Sequence, residues 1–158
     1  VSYHSKPLEN RLQGILVSYR AIQTVTPNLI FMAKRIDTIG KCKGRIKKLL
    51  TSIVRIRDGG CFLKGKFRKC SGFTAADHIV SRTHSKTYGM LENVVCAWSG
   101  HHIFWKPSNP TLYTNEVDKK IGKEKRLWLE KISRPVTQYS LKQWQAIEGG
   151  LKEKLASL

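Results

Sequence analysis

The chain has 158 residues, is 41% hydrophobic, and sets 29 Lys and Arg against 11 Asp and Glu, for a net charge of +18. That length fits one domain with appendages and a modest packed core. The charge points to a polyanionic partner, with nucleic acid first and an anionic membrane surface second. No apolar run approaches the roughly 18 residues of a membrane span.

The opening residues, VSYHSKPLENR, lack the apolar core of a secretion signal. The four cysteines, Cys42, Cys61, Cys70 and Cys96, include no C-x-x-C pair. A disulfide framework is not expected of such a chain, which reads as intracellular.

Leu12–Val25 has apolar residues at spacings compatible with a helix or a strand, and Pro27 ends it. Pro27-Asn28 can open a short helix through Ile36. Residues 41–57 read as an amphipathic helix, with Ile46, Leu49, Leu50, Ile53, Val54 and Ile56 as its apolar stripe. Asp58-Gly59-Gly60 stops it. Residues 61–76 read as a basic loop or hairpin. Cations crowd the stretch from Lys34 to Cys70, opposed only by Asp37 and Asp58.

Residues 74–80 favour a strand, 81–90 a polar loop, and 92–98 a second short strand. Ser99 is a reasonable N-cap for a short helix through His102 and Lys106. One helix is expected over 111–132, with Val117, Ile121, Leu127, Trp128 and Ile132 inside. A last helix over 140–158 starts with a capping box from Ser140 to Gln143. Trp128 and Trp144 read as core. The segments are therefore an N-terminal mixed or helical extension (1–40), a core with its preceding basic helix (41–110), and a C-terminal helical extension (111–158).

The chemistry concentrates between Asp77 and Lys106, DHIVSRTHSKTYGMLENVVCAWSGHHIFWK. Histidine can be neutral and basic near pH 7, and an aspartate supplies a hard oxygen to a divalent cation. Neighbours on a strand point to opposite faces, so Asp77 and His78 share a site only if the backbone bends there. His102 on a crossing helix can complete a metal site. Asn93 is suited to pinning a loop through its amide.

AADHIV, LENVV and GHHIFWK resemble the three motifs of the HNH nucleases. The resemblance covers roughly Val54 to Lys106. It implies an α+β fold with a ββα-metal core, a two-stranded antiparallel hairpin and a crossing helix, surrounded here by N- and C-terminal helices. It further implies His78 as general base, with Asn93 steadying its loop. Asp77 and His102 would ligate one divalent ion, Mg²⁺ or Mn²⁺, with Zn²⁺ or Ni²⁺ as alternatives. The family places its last histidine about nine residues after the asparagine, which selects His102 over His101. The tail, with RPVTQYSLKQW and LKEKL, resembles phage HNH proteins of the recombination type, which implies the cytoplasm of a bacterial or phage-infected cell.

The expected activity is metal-dependent hydrolysis of phosphodiester bonds in DNA. Backbone phosphates would be met by Arg45, Lys47, Lys48, Arg55, Arg57, Lys64, Lys66, Arg68, Lys69, Arg82 and Lys106. A homodimer would be the simplest way for one site to cut both strands. The alternative is a non-catalytic nucleic-acid-binding protein that keeps the scaffold. Phe104 and Trp105 read as packing residues rather than base-stacking ones.

Many members hold a structural zinc between two C-x-x-C pairs, a pattern this chain departs from. Cys61, Cys70, Cys96 and His101 could form such a site on ligand type. The preferred reading of the cysteines is as small buried apolar residues, with no structural zinc.

Overall fold

The computed structural model describes residues 36–67, 70 and 72–158. The expected elements over 12–25 and, apart from Ile36, over 29–36 lie outside these residues, as do Arg68 and Lys69. Asp37–Leu158 form one compact unit. Its described residues make an α+β fold of six α-helices and one two-stranded antiparallel sheet.

Helix α1, Ile39–Asp58, is the longest element. The Thr38 side chain accepts from the Lys41 N–H at its start, and Gly59 caps its end in the left-handed conformation. Cys42, Ile46, Leu50, Ile53 and Val54 form its buried stripe. Ile56, expected on that stripe, is exposed, because it lies about a quarter turn to the side of the stripe's centre.

Strand β1, Thr74–His78, pairs with β2, Val94–Trp98. The register sets Asp77 opposite Val95 and His78 opposite Val94. Between them lies the short helix α2, Ser85–Tyr88, and a 3₁₀ turn over Leu91–Asn93. A helical segment follows β2. Its π-helical stretch, His101–Trp105, runs into the short α3, Lys106–Ser108. The segment begins at Ser99, which is thus a helical residue and not the expected N-cap. Gly100 is required there: a Cβ would stand 2.3 Å from the Trp98 ring, which folds back across it.

The expected single helix over 111–132 is two, α4, Pro110–Ile121, and α5, Lys123–Ser133. Gly122 breaks it at φ 89°, ψ 138°, a conformation that a side-chain-bearing residue rarely adopts. The break also changes which residues face inward. Leu129 is buried, whereas Leu127 and Trp128, expected inside, are 46% and 44% exposed. Helix α6, Leu141–Ala156, begins with the expected capping box between Ser140 and Gln143.

Two apolar clusters hold these elements. In one, Ile46, Leu50, Ile53 and Val54 of α1 pack with Ala76, Tyr88, Val94, Cys96, Trp144 and Leu151. Trp144 is thus core, as expected. In the other, Cys61, Leu63, Tyr113 and Val117 pack with Trp98, Trp105 and Ile79.

A polar clamp joins α1 to α6. Arg45 donates to Glu148 at 2.8–3.0 Å and to Asp37 at 2.7 and 2.9 Å. The Cys42 thiol donates to Glu148 at 3.3 Å. The Arg45 bonds hold the Glu148 carboxyl down at about 2, against an ordinary 4.5. A group depressed on folding stabilises above its unfolded pKa and loses that contribution as pH falls through its folded one. Acid titration followed by circular dichroism should therefore show stability falling between about pH 4.5 and 2. Glu148→Gln should flatten that fall and lower stability at pH 7.

Candidate active site

The last residues of β1 send neighbouring side chains to different partners, as alternation along a strand requires. Asp77 turns towards the π-helical stretch and α4, and His78 turns towards α2.

Asp77 is 1% exposed. Its Oδ1 lies 2.6 Å from Nδ1 of His102 and 2.9 Å from Nζ of Lys106. Its Oδ2 accepts from the Tyr113 hydroxyl at 2.7 Å. Burial pushes the carboxyl up, but His102 and Lys106 outweigh it, and the net direction is down, so Asp77 is ionised at neutral pH. His102 Nδ1 is itself buried, and the Asp77 carboxylate is the group it approaches.

A carboxylate oxygen and an imidazole nitrogen suit a divalent first-row cation or Mg²⁺. Two such donors, bound side by side to an octahedral ion at about 2.1 Å, would stand roughly 3 Å apart. Asp77 and His102 need open by only a few tenths of an ångström. The His102 side chain is 38% exposed, while its Nδ1 and the Asp77 carboxylate are buried.

His78 is 5% exposed. Its Nε2 lies 2.9 Å from the Tyr88 carbonyl oxygen. A carbonyl only accepts, so this nitrogen carries the proton. Burial pushes the imidazole down to about 4, so it is neutral at pH 7 and Nδ1 keeps its lone pair.

Asn93 is fully buried and uses its whole amide group. Oδ1 accepts from the Val80 N–H at 2.8 Å, and Nδ2 donates to the carbonyls of Val80 and Thr87 at 3.1 and 3.0 Å. It thereby clamps the loop that follows His78, including the turn that presents the Tyr88 carbonyl. His84 in the same loop bonds through Nδ1 to the Ser133 carbonyl at 3.0 Å.

The basic residues divide into two groups. Arg45 is in the clamp, Arg55 donates to the Thr74 carbonyl, and Arg57 donates to the carbonyls of Leu91 and Val94. Lys66 pairs with Glu116, and Lys106 with Asp77. By contrast, Lys47, Lys48, Lys64 and Arg82 are exposed and make no hydrogen bond or ion pair among the described residues. Phe104, read as a packing residue, is 72% exposed, while Trp105 stacks on Phe67 with ring centroids 4.0 Å apart.

A second group of donors lies at Cys61, Cys70 and His101, whose ligand atoms are all within 4.8 Å of one another. His101 Nδ1 is 3.4 Å from the Cys61 sulfur and 3.9 Å from that of Cys70. Tetrahedral zinc, with bonds of about 2.3 Å to sulfur and 2.0–2.1 Å to nitrogen, separates such atoms by about 3.6 Å. The group could hold a metal ion. Cys96, considered with them from the sequence, is not part of the group. It points into the α1 side of the sheet and packs with Ala76 and Val94.

Tyr113, which the sequence reading missed, is the third side chain against Asp77. Burial, with Asp77's charge, pushes its phenol well above the ordinary value, so it stays a donor. Only its place on an apolar face of α4 marked it in the sequence.

Comparison with protein-family models, with curated proteins and with solved structures finds no match to this chain. No helix among the described residues is long and apolar enough to cross a membrane.

Tyr113→Phe leaves Asp77 Oδ2 buried without its donor, and should cost about 1–3 kcal/mol of stability in denaturant titration.

Proposed function

We propose that this chain is a divalent-metal-dependent HNH endonuclease that hydrolyses phosphodiester bonds in DNA, with β1, β2 and the segment after β2 as its ββα-metal core. The observation that carries this reading is the approach of Asp77 Oδ1 and His102 Nδ1 to 2.6 Å, with a neutral His78 as the next residue of β1. A divalent ion held by Asp77 and His102, Mg²⁺ or Mn²⁺ by donor type, would neutralise the scissile phosphate and the leaving 3′ oxygen.

The chain's own residues do the rest. His78 takes a proton from water at Nδ1, because the Tyr88 carbonyl engages the other ring nitrogen. Asn93 holds that carbonyl's loop in place. Asp77 stays ionised, and Tyr113 fixes its Oδ2, which leaves Oδ1, shared with Lys106, turned to His102. Phosphates along the duplex meet the uncommitted cations Lys47, Lys48, Lys64 and Arg82, which position the backbone without reading sequence.

His78→Ala should reduce Mn²⁺-dependent plasmid nicking by about 10²–10⁴-fold, the usual contribution of a positioned base. Undiminished nicking would remove the catalytic role.

One observation favours a second reading, a DNA-binding protein that keeps the scaffold without activity. Asp77 already has partners on both oxygens without an ion. That reading expects salt-sensitive DNA binding, and no nicking by the wild-type chain with any divalent metal.

The Cys61, Cys70 and His101 group is a separate, structural metal site in this proposal, and zinc suits its sulfur and nitrogen donors. It ties the 61–70 loop to the helical segment after β2. Purified protein should contain about one zinc per chain that Cys70→Ser releases, with a loss of thermal stability. Metal-free protein of unchanged melting temperature would return these cysteines to simple packing.

A further inference from the structure

Lys106 is the first residue of α3 and is read from sequence as a phosphate contact. It is bonded inward instead. Nζ donates to Asp77 Oδ1 at 2.9 Å and to the His78 carbonyl at 2.7 Å, and it lies 4.4 Å from the centre of the Tyr113 ring. Its side chain is 25% exposed, against 0% for Asp77. An ammonium between two oxygens, over an aromatic face, is a cation in a built site.

Three features make that site the ion's own. The carboxylate oxygen that Lys106 engages is the one facing His102. The other oxygen is tied to Tyr113, so Asp77 has no second oxygen to offer an ion while keeping Lys106. A buried carboxylate also requires a cationic or hydrogen-bonding partner in every state of the protein, because leaving it bare is costly. Lys106 meets that requirement when no metal is bound. A doubly charged ion on Oδ1 and an ammonium on the same oxygen repel each other across a few ångströms.

We propose that Lys106 is a tethered competitor for the metal: its ammonium occupies the cation's place on Asp77 in the metal-free protein, and an ion must displace it to bind. The inference rests on the reading that Asp77 and His102 hold the ion, and it adds a step that the reading does not contain. The displaced ammonium sits on a helix start next to the site. The same event that loads the ion thus frees a positive charge beside the arriving phosphate.

The test is Mn²⁺ binding by calorimetry on the full chain, with no DNA present. Lys106→Met should bind Mn²⁺ about tenfold to a hundredfold more tightly than wild type, the worth of one charge-assisted hydrogen bond. Lys106→Gln should fall between the two. The gain should persist in about 1 M salt, where the Debye length is near 3 Å and through-space repulsion is screened. A second readout uses the wild type alone. Amine labelling with mass spectrometry should show Lys106 reacting faster when Mn²⁺ is added, and no faster in Asp77→Asn.

Equal affinity of wild type and Lys106→Met, with Mn²⁺ binding still lost in Asp77→Asn and His102→Ala, would overturn the competitor while leaving the metal site standing. Binding unaffected by Asp77→Asn and His102→Ala would overturn the metal site, and the competitor with it. An unchanged labelling rate at Lys106 on saturation with Mn²⁺ would also overturn the competitor.

Discussion

The structure turns on one ionised carboxylate kept out of water. Asp77 sits at the end of β1 with about 1% of its surface exposed. A buried charge costs several kcal/mol unless polar partners close around it. Here they come from three places: His102 in the π-helical stretch, Lys106 at the start of α3, and Tyr113 on α4. Each element that delivers a partner is held to the strand by that delivery. The segment after β2 and the C-terminal helix α4 are therefore fastened to the hairpin by polar chemistry as well as by the apolar cluster around Leu63 and Val117.

Cations in this chain do two jobs. The net charge of +18 suggests a surface given over to a polyanion. Yet Arg45, Arg55, Arg57, Lys66 and Lys106 are used inside the fold, on carboxylates and on carbonyls at strand and turn ends. Arginine suits this work because its planar fork can satisfy several acceptors at once. The surface available to a polyanion is thus a subset of what composition suggests, and Lys47, Lys48, Lys64 and Arg82 belong to it.

Much of the fold was legible because its signals are local. The apolar period of α1, the two short strands and the Ser140–Gln143 capping box are each set by residues within a turn or two of one another. What could not be read depends on distant partners. Ile56 and Trp128 are apolar but lie on faces left half open by the described residues, while Leu129 is turned inward once Gly122 divides the helix. Asp77, Asn93 and His102 stood out by residue type and spacing. Tyr113 did not, because a tyrosine on an amphipathic helix carries no mark of the carboxylate it meets 36 residues away. The cysteines were ambiguous for the same reason. Cys61 and Cys70 meet His101 only after the chain folds, while Cys96, two residues before Trp98, turns to the core.

Mn²⁺ bound to the full chain can report its own ligands through the hyperfine coupling of nearby nitrogen nuclei. If Asp77 and His102 grip one cation, pulsed electron paramagnetic resonance will show coupling to an imidazole nitrogen that disappears in His102→Ala. Bound Mn²⁺ with no nitrogen coupling, or with coupling that survives in His102→Ala, would contradict it.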